Sequence, residues 1–450
     1  MALVIRRISG YIHALWILFV MSEGASVVSN EFMESHLPTI PNEPQPAKKM
    51  ISAGARPLEG LVVLELGQIL AGPFASTILG YFGAEVIKIE PPGAGDTIRD
   101  WRTVKNGTSL WWWSLGRNKQ SVTVDLKSQD GQQIVRDLCA KCDVLIENFR
   151  PGVMENWGLG PDDIRAINAD LIYTRISGYG QTGPYADRPG FASVCEGFGG
   201  FRYLNGVPGE LPVRPNLSLG DSLAGIHAAL GVCMAYIHRL QKGSGHGQVV
   251  DVSIFESVFN LLEAVVPEFS GAGQVRQPSG STITGIVPSN TYRCNDGKLV
   301  IIGANTKSMF ERLTRAMGRE DLAVDPRFSD NVGRVAHERL IDTAIADWAA
   351  TVSLDEALGM LQDASIAAGP ILNVEDMFAD PHYQARGAFE EVIVDGEVLH
   401  IPAMAPRLVD TPGRTVRPGP ALGEHTEDVL KRMLNTDGEE MSRLRRLGVI

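Results

Sequence analysis

One carboxylate, Asp221, stands at the end of an unusually glycine-dense stretch: Ser177-Gly-Tyr-Gly-Gln-Thr-Gly-Pro184, then Gly197-Phe-Gly-Gly200, then Leu219-Gly-Asp-Ser-Leu-Ala-Gly225. Glycine serves where backbone must take positive φ or approach a ligand closely, so the stretch predicts a loop built around something bound. Asp221 follows a glycine and precedes an apolar, helix-forming segment reaching Ile237, which is where an N-cap sits. On spacing alone, capping is the commoner role for such an aspartate. The other role open to it is that of a nucleophile, forming a covalent intermediate with an activated acyl group.

The remaining chemistry-bearing residues exclude several functions. The formal charge of -12 provides no basic stripe for a phosphate backbone, which argues against a nucleic-acid partner. The five cysteines, Cys139, Cys142, Cys195, Cys233 and Cys294, are odd in number and dispersed, a pattern of reducing compartments. Cys139 and Cys142 have redox-motif spacing without a second pair, so no metal or redox role is assigned to them.

The elements that would position Asp221 read as alternating strands and helices. Leu61–Leu66 is a short apolar run typical of a buried parallel strand, followed by the turn Gln68-Ile-Leu-Ala-Gly-Pro73, a helix to Phe82 and the strand Gly83–Glu90. A second unit runs from Ser121–Lys127 through a helix near Gln132–Cys139 to Asp143–Phe149, and Leu171–Ile176 delivers the chain into the glycine stretch. The alternation predicts an α/β fold with a mostly parallel sheet, whose ligand edge lies at the carboxyl ends of its strands. No G-x-G-x-x-G follows the first strand, so a dinucleotide site is not expected. A polar, glycine-rich linker is expected near Gly271–Gly285, then a smaller α/β unit with helices near Ser308–Met317, Ala336–Ala350 and Leu354–Ala364. Residues 1–56 read as an unstructured or targeting-like extension: its apolar run Tyr11–Met21 is too short to span a bilayer, and no later segment is expected to reach spanning length.

Pro57-Leu-Glu-Gly, Ala71-Gly-Pro73, Gly83-Ala-Glu-Val-Ile-Lys-Ile-Glu90, Asn118-Lys119, Asp125-Leu-Lys127, Glu147-Asn-Phe149, Gly178-Tyr-Gly-Gln-Thr-Gly-Pro184, Gly220-Asp221 and Leu422-Gly-Glu-His-Thr426 occur in this order. Together they resemble the family III CoA-transferases (CaiB/BaiF type), from Pro57 to Leu430. The resemblance implies a Rossmann-like large domain made from both chain ends (57–270 and 383–450), a small middle domain with its linker (271–382), and an interlocked homodimer, with a homologous second subunit as the alternative. It implies that Asp221 is the nucleophile, and that a coenzyme A thioester is a substrate, with no tightly bound cofactor or metal. Ile69, Ala71, Val124, Lys127, Asn148 and Phe149 fall at or beside CoA-contacting positions of the family. Taken singly, Ile69, Ala71, Val124 and Phe149 read equally as core, and Lys127 as a solvated helix start.

The chain departs from the family pattern at Pro91, where an arginine is usual, at Leu70, where formyl-CoA transferase has glutamine, and at Ala192, where many members carry an acid. Glu196, one helical turn on, is a substitute for that polarity. Related racemases use a histidine as base where this chain has Phe191, which disfavours racemisation. The segments Phe201–Gly206, Val213–Asp221, Glu263–Phe269 and Gly285–Ser289 most resemble the branch acting on malate, citramalate or itaconate. That resemblance implies a succinyl-CoA donor and a dicarboxylate acceptor, with Arg202 and Arg214 as candidates to grip the second carboxylate. A non-catalytic partner subunit is the competing reading from another class. Handling CoA thioesters implies a cytoplasmic enzyme that neither enters nor anchors in a membrane.

Overall fold

The computed structural model describes residues 56–450. The expected extension over residues 1–56 therefore lies, but for Arg56, outside the described residues.

Six strands form one wholly parallel sheet: β1 (Val62–Glu65), β2 (Glu85–Glu90), β3 (Lys119–Thr123), β4 (Val144–Glu147), β5 (Ile172–Ser177) and β6 (Val249–Ser253). Their order is β3-β2-β1-β4-β5-β6, with registers such as Val63 opposite Val86 and Val144. This is the order of a doubly wound sheet, and it reverses between β1 and β4, where a crevice opens at the carboxyl edge. Successive strand residues serve opposite faces: Leu64, Ile87 and Leu145 join one core, while Val63, Val86 and Val144 join another. Burial on both faces explains why the strands read as unbroken apolar runs.

The first crossover helix, α1 (Ala71–Tyr81), packs against α2 (Leu219–Lys242), the long helix that carries Asp221. The contact face of α2 is small, comprising Gly220, Ala224, Gly225, Ala228, Ala229, Val232 and Ala235. At Gly225 the fit is closest: a Cβ there would lie 3.0 Å from the Ala71 carbonyl oxygen and from the Phe74 ring. The opposite face exposes Ile226, Leu230, Met234, Ile237 and Leu240. With 24 residues and this composition α2 is long and apolar enough to span a bilayer, which corrects the expectation that no later segment would be. Its packed small-residue face gives it a place on the sheet instead.

Residues 287–370 build a separate hydrophobic core around three antiparallel strands, β7 (Ser289–Arg293), β8 (Leu299–Gly303) and β9 (Ala367–Pro370). Before it, Val265–Ala272 is helical, so the expected linker begins later than its polar composition suggested. After a hairpin of β10 (Phe389–Val394) and β11 (Glu397–Pro402), two helices, α3 (Thr426–Leu434) and α4 (Gly438–Arg446), return to the main sheet. Val429, Leu430, Met441, Leu444 and Val449 pack into the same core as Leu64 and Ile87.

Candidate active site

The glycine stretch is shaped first by backbone contact. Gly178 and Gly190 face each other so closely that a Cβ on either would meet the other's Cα at 2.9 Å. This pairing ties the end of β5 to the loop preceding Ala192–Phe198, a short helix that presents Glu196. Glu196 is fully buried, and its carboxylate accepts the backbone N–H of Gly220 at 3.2 Å. The chain is thus anchored one residue before Asp221.

Asp221 is the third residue of α2, not its N-cap; Ser218 holds that position and makes no side-chain cap. The helix starts earlier than expected because Leu219 and Gly220 already belong to its first turn. Burial and the neighbouring Glu196 push the Asp221 carboxyl up to about 6, against an opposing pull from Arg214. Nearby, the Cys195 thiol donates to the Gly178 carbonyl oxygen at 3.3 Å, and burial, Asp221 and Glu196 push it up to about 12. A thiol held protonated is no rival nucleophile.

Asp221 lines a cleft of about 290 Å³ at the carboxyl edge of the sheet. The turn after β1 contributes Gln68, Ile69, Leu70 and Ala71, the end of β4 Asn148, Phe149 and Arg150, and the end of β5 Ile176, Ser177 and Gly178. Arg188, stacked on Tyr185 at 3.6 Å, and Phe191 complete it from the glycine loop. A second cavity of about 470 Å³ is lined by Pro91, Val124, Lys127, Trp157 and Gly448. Gln68 and Phe149 line both, so the two form one trough along the sheet edge. All six expected CoA-contacting residues line the trough. Asn148 has both amide functions engaged: Oδ1 accepts the Gln68 N–H and Nδ2 donates to the Gln68 carbonyl, each at 2.8 Å.

Arg202 and Arg214 point elsewhere than into this trough. Arg202 donates to Glu196 at 3.3 Å and to the Ser193 hydroxyl at 2.9 Å, while Arg214 lies 3.9 Å from the same carboxylate. Sequence reasoning singled out Glu196 only as a substitute for the acid missing at Ala192, named Ser177 only as the start of the glycine stretch, and did not single out Arg150 or Arg188, which line the cleft. The signal for Arg150 was its place just beyond the end of β4. No group of three or more His, Cys, Asp or Glu side chains arranged to hold a metal occurs among the described residues.

Chemically, the Asp221 cleft offers one carboxylate among its described lining residues, an open helix start and the cations Arg150 and Arg188. The first turn of α1 takes no side-chain cap and Pro73 within it has no N–H, so the donors it offers at the cleft are the backbone N–H groups of the lining residues Leu70 and Ala71. Such donors suit a developing oxyanion.

Comparison with known proteins supplies what geometry leaves general. The model of CoA-transferase family III matches residues 58–426. The chain is 43% identical over 397 residues to succinyl-CoA–D-citramalate CoA-transferase of Chloroflexus aurantiacus, covering 88% of this chain and 98% of that protein. It is 42% identical over 399 residues to the succinyl-CoA–L-malate CoA-transferase alpha subunit of the same organism, covering 88% and 92%. Among solved structures, a CAIB/BAIF family protein from Brucella suis superposes with a TM-score of 0.75 at 32% identity, covering 84% of this chain and all of that one. The chain belongs to CoA-transferase family III and is a CoA-transferase.

Proposed function

We propose that the enzyme moves CoA from succinyl-CoA to a small dicarboxylic acid, with Asp221 as the covalent nucleophile. The observation that carries this reading is that Asp221 is the one carboxylate among the described residues lining the cleft. An Asp221 oxygen attacks the thioester carbonyl; the C–S bond breaks, leaving a succinyl-aspartyl anhydride and CoA thiolate. The thiolate attacks the aspartyl carbonyl and releases succinate, giving an aspartyl-CoA thioester. The acceptor carboxylate then displaces CoA to form a second anhydride, and the thiolate returns to the acceptor's acyl carbon, freeing Asp221. Each step exchanges one acyl bond for another, so no external acid, metal or redox partner is needed.

The dicarboxylate assignment is supported by the names of the two Chloroflexus relatives and by Arg150 and Arg188, which line the cleft. Racemisation is disfavoured because Phe191, at the cleft wall, has no proton to exchange. CoA thioesters are intracellular metabolites, so a cytoplasmic enzyme is proposed.

A homodimer, with interlocked subunits, is proposed as the working form. The support is the exposed apolar stripe of α2, where Met234 is 60% and Leu240 is 66% exposed. Such a stripe is usually covered by a partner. The name "alpha subunit" on one relative keeps a homologous second chain as the other occupant.

The test is incubation with succinyl-CoA followed by peptide mass spectrometry. An adduct on the Asp221 peptide, with turnover abolished in Asp221→Ala, is expected. Wild-type turnover in Asp221→Ala would overturn the assignment.

A further inference from the structure

Ile69 sits at the cleft wall with φ at +67°, in the left-handed region that a β-branched residue rarely enters. The backbone around it is held by three side chains from different parts of the fold. Lys88 Nζ donates to the Gly67 carbonyl at 2.8 Å, Asn148 brackets Gln68 as described, and Asp96 accepts the Ile69 N–H with both oxygens, at 2.9 and 3.1 Å. Lys88 and Asp96 are fully buried and pair at 2.8 Å, and Lys88 also pairs with buried Glu65 at 2.7 Å. Asp96 further accepts the Ile98 N–H at 3.1 Å, while its own N–H goes to Glu90, which Arg99 clamps.

Charged side chains are seldom buried without a structural demand for them. Here the demand is visible: strained backbone persists only where its surroundings over-determine it, and this strain lies where the thioester must bind. We propose that Asp96 is a positioning residue, which through the Ile69 N–H holds the Gly67–Leu70 turn in its strained form and so pre-forms the thioester site and the open start of α1. Lys88 fixes Asp96 and the preceding carbonyl together. Without this grip the turn relaxes toward ordinary φ, and the thioester has to rebuild it on binding. The inference rests on the reading that the Asp221 cleft takes the thioester, and CoA affinity tests it independently of which residue is the nucleophile.

The experiment compares Asp96→Asn and Asp96→Ala, each with Ile69 retained and with Ile69→Gly, by CoA affinity in calorimetry, by kcat and KM for succinyl-CoA, and by Tm. Asparagine keeps an acceptor for the Ile69 N–H, so Asp96→Asn should stay within about threefold of wild-type CoA affinity. Asp96→Ala should lose about tenfold or more, the scale of one hydrogen bond to a charged group. Glycine adopts positive φ freely, so in the Ile69→Gly background the alanine substitution should cost markedly less in affinity. A purely structural Asp96 would lower Tm and affinity alike in both backgrounds, and that result overturns the proposal. Equal affinity losses for Asp96→Asn and Asp96→Ala also overturn it. Hydrogen exchange on the wild-type enzyme provides a reading that needs no variant: the Ile69 amide should exchange slowly before CoA is added, and an amide protected only after binding refutes pre-formation.

Discussion

Glu196 accepts the backbone N–H of Gly220 at 3.2 Å, which sets a fully buried carboxylate beside Asp221. Burial is the larger reason that Asp221 reaches about 6, and the neighbouring Glu196 in the same dry corner adds to it. A nucleophile must be ionised, so the rate of adduct formation should rise with pH through an inflection near 6. Glu196→Gln removes the charge and keeps an acceptor for Gly220. The inflection should then move toward the ordinary carboxylate range in single-turnover pH profiles; an unmoved inflection would show that burial alone sets it.

The same shift has a sign for stability. The Asp221 carboxyl is raised from 3.8 to about 6 in the folded protein, so folding favours its protonated form. Its contribution is fully present below the unfolded value and is lost as pH rises through about 6. Asp221→Asn should therefore gain stability relative to wild type at pH 8, by about 1–3 kcal/mol, and little or none at pH 4. Denaturant unfolding at the two pH values, done before the amide hydrolyses back, measures the difference.

Arg202 and Arg214 should separate on substitution. Arg202 is committed to Glu196 and Ser193, so Arg202→Ala should cost about 1.5–3 kcal/mol of stability and reduce kcat/KM equally for all acceptors. Arg214 is at 3.9 Å and its side chain is 46% exposed, which leaves it free to turn toward a substrate. Arg214→Ala should lower kcat/KM about tenfold for succinate, malate and itaconate and much less for a matched monocarboxylate. A uniform loss in Arg214→Ala would move the search to Arg150 and Arg188.

A charge in the middle of the α2 stripe tests assembly. Met234→Glu or Ile237→Lys should leave the sheet core untouched, since both side chains face outward, yet weaken association measured by sedimentation. Unchanged sedimentation would mean that the stripe is not the contact. An interlocked pair should also dissociate slowly on dilution, because threaded chains separate only by partial unfolding.

Most strand positions were legible because burial on both sheet faces leaves apolar runs such as Leu61–Leu66 that hardly admit another reading, although β3 lies at Lys119–Thr123 and not over the expected Ser121–Lys127. Asp221 was legible by its glycine context, although its place inside the helix was not: Leu219 and Gly220 carry no sign that the helix has already begun. The buried ions Glu65, Lys88, Asp96 and Lys119 could not be read at all, since such residues are solvated in most sequences and only the fold brings them together. Asn148 lines the cleft, and its engagement with Gln68 shows how a residue expected to meet a ligand can serve the backbone as well. Ile69 gave no hint of positive φ, because sequence signals for that conformation are carried by Gly, Asn and Asp.

Gly448 lines the second cavity together with Lys127, and the Asp125 N–H is received by the carbonyl of Val449. The floor of the trough is therefore a seam between an early and a late segment of the chain. A fragment that ends before the seam has strands and much of a core but lacks a complete trough. Substrate capture in this protein is a property of the finished molecule, and a partly made or clipped chain should leave the CoA pool untouched.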